Sequence, residues 1–257
     1  MEFICITKRK HRGMTTAQTD NIKLIVGALE KFGVTNKHIQ AGILATVGKE
    51  SNFIPQSENL KYSEANIKRV WPQTPQADVV RLAGNPQALG DYKYGNKGGN
   101  AANEGYKYRG RGYNQITFKS TYKKIGDTIG VDLVTYPDKL NDPKVAAEAM
   151  AAFFAPELKA GFNAGSFTKF GVTNEGAVRD TTTATKIAVQ INAGRRTNFN
   201  NAVVQEGFNK AKGTVDSLYD MIRGGVDIVK KNPIKVGVAV ALALGLLITG
   251  VVLIKNK

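Results

Sequence analysis

Apolar residues recur at helical spacing between residues 16 and 208. In the segment 36–49, Ile39, Ile43 and Val47 fall at positions i, i+4 and i+8, on one face of a helix. Comparable patterns predict six helices, at 16–31, 36–49, 63–70, 119–129, 143–158 and 183–192. Loops rich in Gly and Asn separate these helices and leave room for at most a small sheet. The pattern predicts a mainly helical domain of the α+β class.

A different pattern occupies the C-terminal end, where residues 236–254 form a run of nineteen residues without a charge, between Lys235 and Lys255. At about 1.5 Å per residue such a run matches a hydrocarbon core of roughly 30 Å. A buried helix of a soluble core is the alternative, but apolar residues occupy every face of this segment. We predict one transmembrane helix that acts as a single-pass C-terminal anchor, and no cleavable N-terminal signal is recognisable.

The residues just before this anchor show an amphipathic pattern. Their apolar positions at helical spacing are Val215, Leu218, Tyr219, Ile222, Val226 and Val229. We interpret this segment as a stalk, broken by a proline at position 233. The predicted divisions are a basic N-terminal arm (1–15), a main domain (16–208), an amphipathic stalk or linker (209–233) and an anchor with a short basic tail (234–257).

The charge balance narrows the choice of partners without deciding it. The chain has 36 basic and 21 acidic residues and a net charge of +15. Peptidoglycan with its peptide carboxylates, anionic lipid headgroups and nucleic acid all satisfy that charge. Cys5 is the only cysteine, which excludes an intramolecular disulfide, and His11 and His38 lack the neighbours of a metal site. We expect no metal and no cofactor.

Two carboxyl groups stand out as candidates for acid–base chemistry. Glu50 follows Val47 by three residues and so extends the apolar stripe of its helix, whereas Glu58 follows a proline and two polar residues. Hydrolysis of a glycosidic bond requires one protonated and one ionised carboxyl. The pattern predicts a partly buried Glu50 with a raised pKa and a solvated, ionised Glu58. The alternative is that both are ordinary surface acids.

The sequence around these carboxyls resembles glycoside hydrolase family 19, the chitinase-like family that also includes peptidoglycan hydrolases. Residues 48–53 resemble its acid-bearing His-Glu-Ser-x-x-Phe block, and residues 58–63 its Glu-Asn-Leu-x-Tyr-Ser block. Residues 108–117 resemble its Arg-Gly-Arg-Gly-x-x-Gln-Leu-Thr signature, with Asn114 and Ile116 as departures. Further blocks follow in the family's order at 94–96, 131–133, 136–137, 142–143 and 191–194.

This resemblance spans roughly residues 16–208. It implies a lysozyme-like, two-lobed helical domain with a substrate cleft between the lobes. Lys49 departs from the family, because it stands where a His usually precedes the acid. A cation at that position favours the ionised form of a neighbouring carboxyl, which works against an acid role.

The same resemblance implies roles for individual residues. Glu50 becomes the general acid and Glu58 the general base of an inverting cleavage. Gln115 and Thr117 hold the attacking water or an acetamido group of the substrate, and Asn192 contacts the substrate from the far wall of the cleft. The alternative for these three polar residues is turn or capping chemistry.

Aromatic and basic residues complete the predicted substrate-binding set. Tyr94 and Asn96 belong to a cleft loop, and Tyr113 belongs to a group of tyrosines that either stack on sugars or fill the core. Arg111, with Arg109, either holds the acidic loop in place or contacts peptidoglycan. An Arg-Gly-Arg-Gly segment also occurs in nucleic-acid-binding proteins, but the ordered hydrolase blocks favour sugars and make nucleic acid an unlikely partner.

These inferences combine into one functional prediction. Basic residues are more numerous before the anchor than after it, which places the enzyme on the cytoplasmic side in a bacterium. Inward budding of a phage membrane would turn that side toward the capsid. We therefore predict a membrane-anchored peptidoglycan hydrolase of a phage virion that opens the wall as the genome enters, with capsid or other virion proteins as neighbours. The alternatives are an endolysin anchored in the host inner membrane, and an inactive linker between membrane and capsid or glycan-binding protein.

Overall fold

The structure is a computed structural model that describes residues 14–194, 199–200 and 202–224. Those residues form ten α-helices: α1 Thr16–Lys31, α2 Lys37–Ser51, α3 Glu64–Val70, α4 Gln76–Leu82, α5 Pro86–Tyr94, α6 Lys119–Ile129, α7 Pro143–Asn163, α8 Thr181–Asn192, α9 Ala202–Lys212 and α10 Val215–Arg223. Three short 3₁₀-helices cover Pro137–Asn141, Thr168–Phe170 and Glu175–Ala177. The prediction of a mainly helical domain is confirmed. In the described part of the chain its β component is a single bridge between Arg111 and Ile116.

Side-chain caps fix where the predicted helices begin. Thr15 and Gln18 form a reciprocal capping box at the start of α1. The side chains of Asn36 and Asp142 each accept the N–H groups of two residues in the first turns of α2 and α7, and the hydroxyl of Ser63 accepts one N–H group at the start of α3. The pattern missed α4, α5 and α9, and α4 and α5 are only seven and nine residues long, too short for a clear apolar repeat.

Buried apolar side chains form three clusters. The largest joins α1, α2 and α7 to α8, α9 and α10. A second surrounds α6 and the 3₁₀-helix Pro137–Asn141, and a third lies among α3, α4 and α5. Residues 52–62, which link the first cluster to the third, carry Glu58. The arrangement in two lobes with a cleft between them stays a prediction.

Helices α2 and α8 run in the same direction through the main core. They approach most closely at Gly42, where an added Cβ would lie 2.6 Å from backbone atoms of Ala184. Near the other end of α2, Gly207 of α9 lies against both Lys49 and Val189. Residues early in α2 lie near residues early in α8, and residues late in α2 lie near residues late in α8. The C-terminal ends of the two helices are therefore on the same side of the domain. Glu50 and Asn192 occupy those ends.

Helix α10 belongs to the core, which corrects the predicted stalk for residues 209–224. Its apolar stripe is Val215, Leu218, Met221 and Ile222, all buried in the largest cluster. The helix packs against α2 and α8. The amphipathic spacing is present in α10, but an apolar stripe requires a covering surface, and here that surface is the domain itself. A boundary at residue 208 would cut through α9.

Two predicted segments lie outside the described residues. They are residues 1–13 of the basic arm and the chain from residue 225 onward, which includes the anchor at 236–254. Among the helices of the described ranges, none combines the length and the apolar character needed to cross a membrane.

The packing of α10 leads to a stability prediction. Leu218→Ala removes a side chain that is 2% exposed, and we expect a loss of about 2 to 5 kcal/mol in the free energy of unfolding. Ser217→Ala, at the exposed neighbouring position, is the matched control and should change stability little. Urea titration of both variants measures the difference. Equal stability of the two variants would restore the stalk interpretation.

Candidate active site

Glu50 lies in the last turn of α2, just before a strained reversal of the chain. Asn52 and Phe53 both adopt left-handed backbone conformations, with φ of 51° and 58°. Such values are unusual for a bulky aromatic residue. Buried amides of α1 hold the reversal, since Gln18 donates to the carbonyl of Asn52 at 3.0 Å and Asn21 to that of Phe53 at 2.7 Å. The turn after Glu50 is therefore fixed from a second helix.

The ring of Phe53 folds back under the end of α2 and requires a glycine there. A Cβ added at Gly48 would lie 2.4 Å from the ring. Any larger residue would displace the ring or the helix end. This contact explains why a glycine precedes the pair Lys49 and Glu50.

Glu50 forms an ion pair with its neighbour Lys49. The distance from Lys49 Nζ to Glu50 Oε1 is 2.7 Å, and the two side chains are only 8% and 14% exposed. The partial burial of Glu50 agrees with the sequence prediction. Lys49 also lies against Gly207, and its charge contributes to a lowered pKa of Glu206, secondary to the bond from Lys210. Helix α9 thus forms one wall beside Glu50.

Glu58 is buried, which corrects the prediction that it lies in a solvated loop. The residue is 5% exposed. The hydroxyl of Tyr94 lies 3.0 and 3.1 Å from its two carboxyl oxygens, and the N–H of Gly110 lies 3.4 Å from Oε2. No cation forms a salt bridge with Glu58 within the described ranges. The carboxyl is held by neutral donors.

Backbone pairing with a distant loop explains this burial. The N–H of Glu58 donates to the carbonyl of Gly110 at 2.8 Å. The carbonyl of Gln56 accepts from the N–H of Gly112 and from the side-chain amide of Gln115, both at 3.1 Å. Segment 56–58 is therefore joined to loop 110–115. The polar sequence around Glu58 does not reveal its burial, because loop 110–115, which pairs with segment 56–58, is more than fifty positions away.

Burial sets the acidity of Glu58. Loss of hydration raises its pKa from 4.5 to about 7, against the smaller opposing effects of the Tyr94 and Gly110 hydrogen bonds and the charge of Arg109. Burial and the nearby Glu58 raise the pKa of Tyr62 and of Tyr94 as well, so both phenols stay neutral. A carboxyl with a pKa near neutrality can exchange a proton with a substrate or water at physiological pH.

The predicted polar contacts serve the loop itself. Both donor hydrogens of the Gln115 amide are used, by the carbonyls of Gln56 and Gly112, and Gln115 has a left-handed φ of 53°. The hydroxyl of Thr117 donates to the carbonyl of Gln115 at 2.9 Å. These bonds match the turn alternative for both residues. Asn192 lies half-buried at the end of α8, on the side of the domain that carries Glu50.

Three residues predicted to bind substrate are buried, and direct sugar contact by them is therefore corrected. Tyr94, Arg111 and Tyr113 are at most 3% exposed. Tyr94 ends α5 and supports Glu58, while the ring of Tyr113 packs in the main core. Asn96 differs, because it is exposed in the loop that follows α5 and remains available to a substrate.

Arg109 is the site residue whose role the sequence left undefined. Its guanidinium lies 4.0 Å above the ring of Tyr106, and one nitrogen donates to the carbonyl of that residue at 2.9 Å. The only sequence signal that Arg109 lies near Glu58 is its position directly before Gly110. For metals, the described ranges contain no group of three or more His, Cys, Asp or Glu side chains able to hold an ion.

The bond from Tyr94 gives a testable effect on pH dependence. Tyr94→Phe removes a donor that favours ionised Glu58, so the pKa of Glu58 should rise further from its value of about 7. If Glu58 acts as a base, the acidic limb of kcat/KM against pH should shift upward by about one unit or less. Tyr92→Phe, exposed on the same helix, is the control and should leave the profile unchanged. A downward shift would contradict this assignment.

Part of the chain is similar in sequence to glycoside hydrolase family 19. Residues 84–161 match the model of glycoside hydrolase family 19, described as chitinase class I. A Haemophilus influenzae protein described as glycosyl hydrolase family 19 domain-containing is 35% identical over 115 residues, which are 42% of this chain and 58% of that protein. The chain therefore spans less than two thirds of that relative. The resemblance to family 19 is confirmed for this part of the domain.

Solved chitinase structures share low identity with the chain. Chitinase C from Streptomyces griseus HUT6037 is 15% identical with a TM-score of 0.43, over 80% of this chain and 76% of its own. A mutant of chitinase C is 17% identical with a TM-score of 0.42, over 78% and 69%. A bacterial family 19 chitinase is 17% identical with a TM-score of 0.33, over 75% and 85%. The family match at 84–161 includes Tyr94 and loop 108–117, whereas Glu50 and Glu58 precede it.

Proposed function

We propose that this protein is an inverting glycoside hydrolase that cleaves the glycan strands of peptidoglycan. The family resemblance assigns Glu58 as the general base that activates water and Glu50 as the general acid that protonates the leaving oxygen, whereas the raised pKa of Glu58 and the ion pair of Glu50 with Lys49 by themselves favour the reverse assignment. The observation that carries the proposal is the environment of Glu58. It is a buried carboxyl that neutral donors hold, within a domain related to family 19.

Such an environment is unfavourable for folding. Burying a carboxyl without a cationic partner penalises its ionised form and reduces stability at neutral pH. Strongly shifted titratable groups of this kind occur most often where proton transfer is required. Tyr94 and the Gly110 peptide also fix the orientation of the carboxyl, as catalysis demands.

Lys49 adds a condition to the mechanism. Glu50 must carry a proton in order to donate one, but Lys49 Nζ lies 2.7 Å from its carboxyl. The ion pair therefore has to open when substrate binds. Helix α9 lies next to Lys49, so the packing of α9 limits how far the Lys49 ammonium can move away from Glu50.

The net charge of +15 favours peptidoglycan over neutral chitin, because stem peptides, and lactyl groups that carry no peptide, supply carboxylates. Mass analysis of the products released from purified peptidoglycan tests the reaction. Hydrolysis yields reducing-end sugars, whereas anhydro-sugar ends would indicate a lytic transglycosylase. Failure to release any glycan fragment would reject the enzymatic function and leave a binding or linking role.

The proposed location is a membrane, through residues 236–254, with a role in opening the wall as a phage genome enters. It is supported by the uncharged run and by the excess of basic residues before it. We expect the full chain to partition with membranes and a chain ending at residue 224 to remain in the aqueous phase. The truncation is placed at residue 224 and not at the predicted domain boundary at 208, because α10 belongs to the core. A full chain that needs no detergent would contradict the anchor.

A further inference from the structure

The two arginines of loop 108–117 have opposite environments. Arg111 is 2% exposed, and two of its three guanidinium nitrogens are bound internally: Nε binds Asp138 at 2.8 Å, and one terminal nitrogen lies 2.7 Å from the Lys107 carbonyl and 3.0 Å from the Tyr122 hydroxyl. This side chain secures the loop. Its role is structural, because a side chain that is only 2% exposed offers little surface to a ligand carboxylate.

Arg109 is only half-buried and largely unpaired. One of its nitrogens donates to the Tyr106 carbonyl, while Nε is buried and lacks a hydrogen-bond partner. Within the residues that the structure describes, no carboxylate forms an ion pair with it. The Tyr106 ring, 4.0 Å below, fixes the plane of the guanidinium. The group is therefore oriented and partly dehydrated, with donors that the protein does not use.

The position of Arg109 places this cation beside the proposed base. Gly110, the next residue, accepts the N–H of Glu58 and donates its own N–H to the Glu58 carboxyl. The charge of Arg109 acts on that carboxyl, but the two side chains form no salt bridge. A substrate bound at Glu58 consequently lies near an unsatisfied guanidinium.

We propose that Arg109 binds a carboxylate of the substrate and thereby selects glycans whose sugars carry carboxyl groups over neutral chitin. The inference rests on the proposed function and specifies the substrate class of the same site. A planar guanidinium matches a carboxylate in a bidentate manner. Two sources supply this chemistry: the carboxylates of the stem peptide, and the lactyl carboxylate of sugars that carry no peptide, because an attached peptide holds the lactyl carboxyl as an amide.

The size of the effect follows from the kind of bond. A hydrogen bond to a charged group contributes enough to change affinity by about 10- to 100-fold. Because the carboxylate lies away from the bond that breaks, Arg109 should bind ground state and transition state equally. Its loss should raise KM with kcat little changed.

The test uses the full chain in detergent with four substrates. They are intact peptidoglycan strands, strands freed of stem peptides, the freed strands with their lactyl carboxyls amidated, and a chitin oligosaccharide. Arg109→Met should raise KM about 10-fold or more on carboxylate-bearing strands and have little effect on amidated strands and chitin. An effect on intact strands alone identifies the stem-peptide carboxylates, an effect on freed strands alone identifies the lactyl carboxylate, and an effect on both shows that Arg109 binds either one.

Arg81→Met is the matched control, because Arg81 also lies over a tyrosine ring but already pairs with Asp78. It should leave all four substrates unaffected. Equal losses for Arg109→Met on neutral and acidic glycans would overturn the proposal while leaving the hydrolase intact. The proposal would also be overturned if the wild-type enzyme cleaved amidated strands and unmodified strands equally well. That measurement does not depend on whether the Arg109→Met variant folds.

Binding measured by calorimetry separates this inference from the catalytic one. If no glycan is cleaved but acidic strands bind more tightly than amidated strands and Arg109→Met removes the difference, the carboxylate site stands and the hydrolase proposal fails. If the strands bind equally, the carboxylate site is rejected whether or not cleavage occurs.

Discussion

Glu58→Gln is expected to abolish glycan cleavage and at the same time to stabilise the protein at alkaline pH. The amide cannot accept a proton from water, so turnover should fall by about 100-fold or more. The carboxyl has a pKa of about 7 when folded and 4.5 ordinarily, so the folded state binds more protons than the unfolded state between these values. Its stabilising contribution is full below 4.5 and is lost as the pH rises through 7.

This pKa difference corresponds to roughly 3 kcal/mol at pH 8, which the neutral amide should recover in part. Urea titrations of wild type and variant at pH 5 and pH 8 measure the gain, which should be larger at pH 8. Glu64→Gln, exposed at the start of α3, is the control and should show little pH dependence. A Glu58→Gln variant equally destabilised at both pH values would show that the carboxyl is not dehydrated in solution.

Glu50→Gln is expected to reduce cleavage of natural glycans by about 100-fold or more, because proton transfer to the leaving oxygen is lost. A substrate with an activated aryl leaving group does not need that proton. Its turnover should therefore be largely retained by Glu50→Gln and lost by Glu58→Gln. The comparison assigns acid and base separately.

The opposite outcome, in which the activated substrate restores Glu58→Gln and not Glu50→Gln, would exchange the two roles. The ion pair between Lys49 and Glu50 makes this comparison important, since a paired carboxylate is a poor proton donor. Near-normal activity of Glu50→Gln on natural glycans would remove this residue from the mechanism.

Periodicity predicted most of the helices because their apolar stripes are local features. Helices α1 and α6 begin and end where the pattern placed them. The same pattern showed that residues 215–222 are amphipathic, but not what covers them. Coverage depends on α2 and α8, which are distant in sequence, and this is why a core helix was interpreted as a stalk.

In the candidate site, too, the environment of a residue depends on segments that are distant in sequence. Glu58 looks solvated in its local sequence, yet Tyr94 and Gly110 bury it from 36 and 52 positions away. Arg109 and Arg111 look equivalent in an Arg-Gly-Arg-Gly segment, and only the fold shows that Arg111 is buried in an ion pair with Asp138 while Arg109 has a buried Nε without a hydrogen-bond partner. Family resemblance located the carboxyls, but their environments required the structure.

The most direct test of the account is the anomeric configuration of the first product. Proton NMR during digestion of a β-linked glycan should show the α-anomer appearing before mutarotation, because a water activated by Glu58 attacks the face opposite the leaving group. Glu58→Gln should abolish that signal. Initial formation of the β-anomer, or a signal that persists in Glu58→Gln, would contradict single-displacement hydrolysis with Glu58 as the base.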